Sequence, residues 1–361
     1  MMVLGETTMR HADVPGRRRL RVDAAQTHPF TTEDGVELRL TRHRGGSRGP
    51  VMLVHCIGVS SRMYALDTIP TNLLEYLYAA GFDVWLLDMR LSIDLDAQSR
   101  QSSFDEIAQY DYPAAVQLVL AVSGARSVQV VAHGIGAQTF SMAMLSGLQG
   151  VRSAVCSQVA IHPIPAPLNR LKSYMGMPTL MGWLGVKALH AVPQPHGGWR
   201  ERMFALGTRL QPIAPAERCD SATCRRISAM YGPLYRHARL GGETHATLPE
   251  QFGQANLRAF RHLIRNLRAG HVVREDGTDS YLPRLELMAI PILFVHGADN
   301  DCLVPESTAA SRDALAERNG SALYWREVIP GYGHVDCIIG EHADRDVYPY
   351  ILRHLEETAE S

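Results

Sequence analysis

The chain has 361 residues, of which 46% are apolar, and this is enough for one full-sized α/β domain that carries an insertion. Charged residues make up 20% and the formal net charge is −1, so the sequence gives no electrostatic reason to expect nucleic acid or an anionic membrane surface as a partner. No apolar run reaches about eighteen residues, so no membrane span is predicted.

The six cysteines are scattered, which favours a reducing cytoplasm over a disulfide scaffold. Cys219 and Cys224 are close together, and His237 and His245 follow them. The two histidines are spaced too widely for the zinc-finger pattern, and the segment lacks the strand–helix context of a finger. We therefore predict reduced thiols here and neither a metal nor an organic cofactor anywhere in the chain.

Strand and helix patterns alternate along most of the chain, after an expected flexible tail at residues 1–25. Strands are predicted at residues 36–42, 51–55, 82–88, 128–132, 151–159, 291–296 and 323–328, and helices at residues 72–80, 104–121, 137–146, 307–317 and 347–358. This alternation predicts a mostly parallel sheet covered by helices on both faces. It is interrupted at residues 161–287, which we interpret as a helical lid inserted between core segments 26–160 and 288–361.

Four loops follow predicted strands, at the sheet edge where open α/β sheets bind ligands. They contain His55-Cys56, then His133-Gly134-Ile135-Gly136, then Asp299-Asn300-Asp301, and finally His334. Their order is that of the α/β-hydrolase fold: oxyanion loop, nucleophile elbow, acid and histidine. Small residues flank Gly134 at the spacing that a strained elbow needs.

The chain from residue 51 onward resembles the α/β-hydrolase domain attached to cholesterol-oxidase-like members of the glucose–methanol–choline oxidoreductase family. Residues 66–76, 150–158, 217–221, 231–235 and 332–337 carry this resemblance. Residues 104–113 are also similar to acid-lipase-type hydrolases. The resemblance implies the α/β-hydrolase fold, but no oxidase activity, because a flavin-binding oxidase domain is not part of it.

The elbow departs from the family pattern. Gly134 stands where related elbows carry Ser or Cys, and Cys56 stands where the oxyanion loop ordinarily has Gly. Because these two loops lie side by side in the fold, a missing side chain at position 134 leaves room for one at position 56. We hypothesise that Cys56 is a relocated nucleophile, since a thiol is intrinsically nucleophilic. The alternative is a small buried residue in a degenerate site.

His334 is the predicted general base, because glycines flank it in the loop after the last strand. Counting back from Pro305 selects Asp301 as the acid that orients it, whereas counting forward from Gly297 selects Asn300, with Asp299 adjacent. We favour Asp301 over Asp299. The backbone N–H groups of Ile57 and Ile135 are the oxyanion donors expected by analogy with the fold.

These features predict a cytoplasmic acyl-ester or acyl-thioester hydrolase or acyltransferase, acting on a small-molecule or carrier-linked acyl substrate. Two alternatives remain open. One is a lyase, isomerase or cyclase that uses His334 for non-covalent proton transfer. The other is a homologue that binds a ligand without catalysis.

Overall fold

The computed structural model describes residues 16–175, 177–194, 197–209, 211 and 213–359. Within them, ten strands occur: β1 Gln26–Thr31, β2 Glu37–Arg44, β3 Pro50–Val54, β4 Asp83–Asp88, β5 Val128–His133, β6 Val151–Ser157, β7 Ala188–His190, β8 Gln254–Asn256, β9 Ile292–Gly297 and β10 Tyr324–Ile329. Eight of them form one sheet in the order β1-β2-β4-β3-β5-β6-β9-β10. Only the β1–β2 and β2–β4 pairs are antiparallel among the pairs of this sheet in the described residues.

The α-helices of the described residues are α1 Leu73–Ala79, α2 Phe104–Glu106, α3 Tyr112–Ser123, α4 Ile135–Leu145, α5 Pro167–Tyr174, α6 Met177–Trp183, α7 Gly198–Arg209, α8 Ala222–Tyr231, α9 Gly242–Ala246, α10 Leu248–Gln251, α11 Leu257–Ala269, α12 Glu306–Asn319, α13 Asp336–Ile339, α14 Ala343–Asp346 and α15 Tyr348–Glu357. One π-helical turn, Ile107–Asp111, joins α2 to α3. In the part of the chain that the structure describes, no helix combines the length and the apolar character needed to cross a membrane.

The central strands are covered on both faces. Every residue of β3, β4, β5 and β9 is buried. Because side chains alternate between the two faces of a strand, burial at every position requires packing on both sides. The predicted fold class, a mostly parallel α/β-hydrolase sheet between helices, is therefore confirmed.

The insertion between β6 and β9 contains helices α5 to α11, but it is not wholly helical. Strands β7 and β8 pair as a short antiparallel ladder within it, from Ala188–Asn256 to His190–Gln254. Strands of three residues leave no signal in a sequence, since such lengths are too short for a periodic pattern. The edge strand β1 was also not predicted, because it is largely exposed and contains Pro29.

The expected flexible tail needs correction over residues 16–25, whereas residues 1–15 lie outside the described part of the chain. The Arg18 guanidinium forms a bidentate ion pair with the buried Glu75 carboxylate, and the backbone N–H of Arg21 donates to the same carboxylate at 2.6 Å. Glu75 also completes the capping box of α1 with Asn72. This segment is therefore packed against the start of α1 through Arg18 and Arg21.

Candidate active site

The turn from β5 into α4 forms the predicted elbow. Gly134 adopts φ +55° and ψ −122°, a conformation that costs an ordinary residue about 1–3 kcal/mol. A Cβ at Gly136 would lie 2.5 Å from the carbonyl oxygen of His55, so α4 packs too closely on the neighbouring loop for any side chain there. The small flanking residue is thus required by packing, as the sequence pattern indicates.

Cys56 occupies the space next to the missing side chain. A Cβ built on Gly134 would lie 2.6 Å from Cys56 Sγ and 2.9 Å from His334 Nε2. Both distances are far below van der Waals contact, so position 134 has no room for a side chain while Cys56 is in place. The sulphur and the imidazole nitrogen therefore face each other across the position that an elbow nucleophile would fill.

The two expected oxyanion donors face the Cys56 sulphur. The Ile135 N–H, at the start of α4, donates to Sγ at 3.4 Å. Hydrogen bonds from the Ile135 and Ile57 N–H groups lower the pKa of Cys56, but burial outweighs them and raises the pKa to about 11. The thiol is therefore protonated at neutral pH, although the groups around its sulphur are those that would stabilise a thiolate.

His334 is held by Asn300. The Asn300 Nδ2 amide lies 3.0 Å from His334 Nδ1, and both residues are buried. The orientation of this amide is fixed, because its Oδ1 accepts hydrogen bonds from the backbone N–H groups of Cys302 and Leu303. The second Nδ2 hydrogen is donated to Gln158 Oε1 at 3.0 Å.

This network determines the tautomer of the imidazole. Because Asn300 donates to Nδ1, that nitrogen is the acceptor, and the single proton of neutral His334 is on Nε2. Burial holds the pKa of His334 well below its usual value, so the ring is neutral at pH 7. In the catalytic triad of serine hydrolases, a carboxylate accepts from Nδ1–H and leaves Nε2 free as a base. Here Nε2 faces the elbow as a donor.

Neither aspartate favoured from the sequence orients His334. The Asp301 carboxylate is 53% exposed and forms an ion pair with Arg236 at 2.9 Å. The Asp299 backbone N–H donates to the Tyr332 carbonyl, at the base of the histidine loop. Counting forward from Gly297 gave the right position, Asn300, but the preference for a carboxylate was wrong.

Gln158 is a positioning residue that sequence reasoning missed. It follows β6 and has φ +74°, the single positive φ among the described non-glycine residues. Its Oε1 accepts from the Gly297 N–H at 3.1 Å as well as from Asn300. A strained residue at a strand end, whose side chain fixes another site residue, leaves no recognisable signal in one sequence.

His55 and His133 precede the oxyanion loop and the elbow, and their side chains hydrogen-bond to neighbouring residues of the core. His55 Nδ1 lies 2.6 Å from the Cys56 carbonyl oxygen, and its Nε2 accepts from the Met89 N–H. His133 Nδ1 lies 3.0 Å from Ser157 Oγ, and burial lowers the pKa of His133 to about 3. The rings of His133 and His334 are 5.0 Å apart and edge-to-face. Both framework rings are neutral, which keeps the surroundings of His334 uncharged.

A cavity of about 750 Å³ opens above this floor. Its floor contains Cys56, Ile57, Gly134, Ile135 and His334, and its walls are mostly apolar side chains of the insertion. This volume is in the range of small-molecule sites. Several large apolar side chains of the insertion that contribute to the walls are also exposed: Leu171, Met175, Leu180, Leu184, Trp199 and Met203.

Two polar groups in the cavity have no hydrogen-bond partner among the described residues. They are the Tyr231 hydroxyl and Gln138 Nε2, and both atoms are buried. Tyr231 Oη lies close to the oxyanion loop, since a Cβ on Gly58 would be 2.2 Å from it. Buried polar atoms normally have partners, so a ligand in the cavity could pair with these two after a small movement of the side chains that cover them. Tyr231 belongs to a stretch that carries the family resemblance, and the sequence pattern predicts no role for it.

No family model matches the chain. Among curated proteins, it is 31% identical to lipase lipl-3 of Caenorhabditis elegans over 364 residues, covering 90% of this chain and 87% of that protein. It is 23% identical to lipase member K of Mus musculus, over 93% of this chain and 89% of the relative. It is 24% identical to the gastric triacylglycerol lipase of Bos taurus, over 92% of this chain and 88% of the relative.

Solved structures show the same fold. The chain aligns with a structure described as a lipase in its open form at a TM-score of 0.61 and 15% identity, over 94% of this chain and all of the other. An aryl esterase from Burkholderia cenocepacia, described as putative, aligns at a TM-score of 0.53 and 15% identity, over 92% of this chain. The match to the nematode lipase is long and its identity is 31%, so the chain belongs to the α/β-hydrolase-fold lipases.

Proposed function

We propose that this protein is an acyl-ester or acyl-thioester hydrolase, or an acyltransferase, in which Cys56 replaces the elbow nucleophile. One observation carries the proposal: Cys56 Sγ occupies the space left open at Gly134, at the floor of the cavity and next to His334 Nε2. The relatives named as lipases support ester substrates in general. The choice of a sulphur nucleophile rests on this site alone.

The tautomer of His334 assigns it a different role from the base that the sequence predicts. With the proton on Nε2, the imidazole donates a hydrogen bond to the substrate carbonyl oxygen and does not accept the thiol proton. The general-base role would require Asn300 to turn and to leave two backbone N–H groups without an acceptor. We therefore propose that His334 supplies the oxyanion donor, while Ile57 and Ile135 stabilise the thiolate.

The acyl-transfer step begins with the thiolate. Solvent hydroxide removes the Cys56 proton, Sγ bonds to the carbonyl carbon, and the π electrons move to the oxygen that His334 Nε2–H stabilises. Collapse of this intermediate breaks the bond to the alcohol or thiol, which takes a proton from water. The acyl group is then a thioester on Cys56, and water or another nucleophile releases it.

The proposed substrate has an apolar acyl chain on a small-molecule or carrier group. The apolar walls of the cavity favour such a chain, and Lys172 and Arg200 in the lining suit an anionic carrier group. The likeness to domains attached to glucose–methanol–choline oxidoreductases, and the cytoplasmic location, remain predictions. A reducing compartment would keep the Cys56 thiol available.

A second candidate is non-covalent chemistry or ligand binding without turnover. The raised pKa of Cys56 and the neutral His334 favour it, because neither group is an activated nucleophile or base at neutral pH. In that case a ligand would bind in the cavity, and replacing Cys56 would leave any activity intact.

The test is acyl-adduct formation at pH 8.5, with activated esters and acyl thioesters, followed by intact mass and peptide mapping. We expect one acyl group on Cys56 in the parent protein and none in Cys56→Ala. Cys302→Ser is the matched control, since Cys302 is a second thiol of the same cavity. An adduct that persists in Cys56→Ala, or no adduct with any donor, would refute the covalent proposal.

A further inference from the structure

The insertion contains a cluster of four residues that the mechanism does not use. Cys219, Cys224, His237 and His245 each offer one ligand atom, and these atoms all lie within 4.8 Å of one another. Three pieces of chain contribute: the loop before α8 with α8 itself, the 3₁₀ turn His237–Arg239, and α9. The fold thus brings together the residues whose spacing argued against a shared site.

The two histidines are oriented toward the cluster. His237 Nδ1 lies 2.7 Å from a carboxylate oxygen of Glu217, and its Nε2 lies 3.4 Å from Cys224 Sγ. A histidine that binds a metal through one nitrogen commonly donates the other N–H to a carboxylate in this way. His245 Nε2 is buried and has no hydrogen-bond partner among the described residues, and its ring lies 5.1 Å from that of His237.

We propose that these four side chains bind one Zn²⁺ ion, as a tetrahedral Cys₂His₂ site. Two thiolates and two imidazoles are the donor set that structural zinc sites use. Zn–S and Zn–N bonds of about 2.3 and 2.0 Å imply donor atoms about 3.3–3.8 Å apart, so the present cluster, whose donor atoms lie within 4.8 Å of one another, needs to contract by at most about 1.5 Å. Binding releases the two thiol protons, and the Zn²⁺ charge is then balanced by two thiolates.

The site is structural and not catalytic, because four protein donors leave no coordination position for water or substrate. Its ligands flank residues 231–236, which hold the histidine loop. The Leu234 carbonyl oxygen accepts the backbone N–H groups of His334, at 3.0 Å, and of Val335, at 2.7 Å. The Arg236 N–H donates to Asp336 in the same loop. A zinc ion at this cluster would therefore stabilise the segment that holds the backbone of His334.

The test uses the full chain, purified under reducing conditions without a polyhistidine tag. We expect about one zinc per chain by elemental mass spectrometry. Chelation should lower the melting temperature and added Zn²⁺ should restore it, because a ligand that binds only the folded state stabilises that state. Reconstitution of the parent with Co²⁺ should give the visible bands of a tetrahedral site and a sulphur-to-cobalt charge-transfer band.

Matched variants identify the ligands. Cys219→Ser and His237→Gln should each lower zinc occupancy at least tenfold, whereas Cys302→Ser and His271→Gln should keep it. Because the cobalt spectrum is measured on the parent, unfolding of a variant does not decide the result. Failure to bind either metal, a Cys219–Cys224 disulfide in the reduced preparation, or full occupancy in both ligand variants would overturn the assignment.

Discussion

The floor of the cavity and the four-residue cluster of the insertion differ in how they relate to sequence patterns. At the floor, four loops follow the order of a known fold, yet Gly134 and Asn300 stand where a nucleophile and an acid are expected. In the cluster, no motif spacing is present, yet four metal-binding side chains meet within 4.8 Å. Motif order therefore locates a site without determining its chemistry, whereas tertiary packing can assemble a site that spacing does not reveal.

The strongest test of the site at the cavity floor is the pH dependence of Cys56 acylation. With a pKa of about 11, only about one Cys56 side chain in 10⁴ is a thiolate at pH 7. We expect the acylation rate to rise about tenfold per pH unit, or about 300-fold from pH 7 to 9.5, since the thiolate is the proposed nucleophile and His334 stays neutral. Stopped-flow acylation with an activated ester measures this.

The raised pKa of Cys56 also sets the upper limit of the pH range in which acylation can be measured on folded protein. The folded state raises the pKa of the Cys56 thiol above its value in the unfolded chain. The stability that the protonated thiol contributes is therefore fully present below the unfolded pKa and is lost as the pH rises toward 11. Melting curves at each pH will show that the protein is folded where rates are measured. A rate that is flat between pH 7 and 8 would mean that a thiolate–imidazolium pair already exists.

Asn300→Asp should restore the tautomer of a conventional triad. A carboxylate accepts from Nδ1–H and leaves Nε2 as a base, and the reverse change in a serine protease costs about 10⁴ in rate. We expect acylation at pH 7 to increase about 10- to 100-fold and the slope with pH to flatten. The loss of the hydrogen bond to Gln158 Oε1 should lower the free energy of unfolding by about 1–3 kcal/mol.

Asn300→Leu is the control for that change, because it removes the amide without adding a carboxylate. It should not accelerate acylation at any pH. If both variants were equally fast, the tautomer would not limit the reaction, and the role assigned to Asn300 would be wrong.

Gly134→Ala tests whether a side chain at position 134 and the side chain of Cys56 compete for the same space. The added Cβ would meet Cys56 Sγ and His334 Nε2 at less than 3.0 Å, at a positive φ, so we expect a loss of about 2–4 kcal/mol in unfolding free energy. Acylation should fall at least tenfold because the sulphur is displaced. Urea unfolding and adduct kinetics measure the two effects.

The double variant Gly134→Ala/Cys56→Gly completes the cycle. Since it removes the closest of the two contacts, it should be less destabilised than the two single changes predict by addition. Strict additivity would mean that positions 134 and 56 do not compete for the same space.

Asp301→Ala should have the smallest effect. Its exposed ion pair with Arg236 contributes about 0.5 kcal/mol or less, and it does not contact His334 in the structure. We expect the acylation rate to change less than twofold, in contrast to Asn300→Asp. A loss of more than tenfold would reinstate Asp301 as a member of the site.

The sequence predicted the parallel strands of the core and the positions of Gly134, Cys56 and His334, because buried strands and the loops after them leave periodic and ordered signals. It did not predict the role of Asn300, since the loop offers acids on both sides of it. Gln158 and Tyr231 were missed for another reason. Their roles depend on a strained backbone and on burial without a partner, and neither property is encoded in residue type or spacing.

The vacant side-chain position at Gly134 also determines which reagents can detect this protein. Fluorophosphonate probes, which survey lipase-like enzymes in cell extracts, require a serine oxygen at the elbow, and here they find only a backbone hydrogen. Thiol-directed electrophiles with an apolar tail have a sulphur at the same depth of the cavity. Surveys with serine-directed probes would therefore fail to detect this lipase relative, and the proposed role of Cys56 makes a thiol-directed library the chemistry to try for inhibitors.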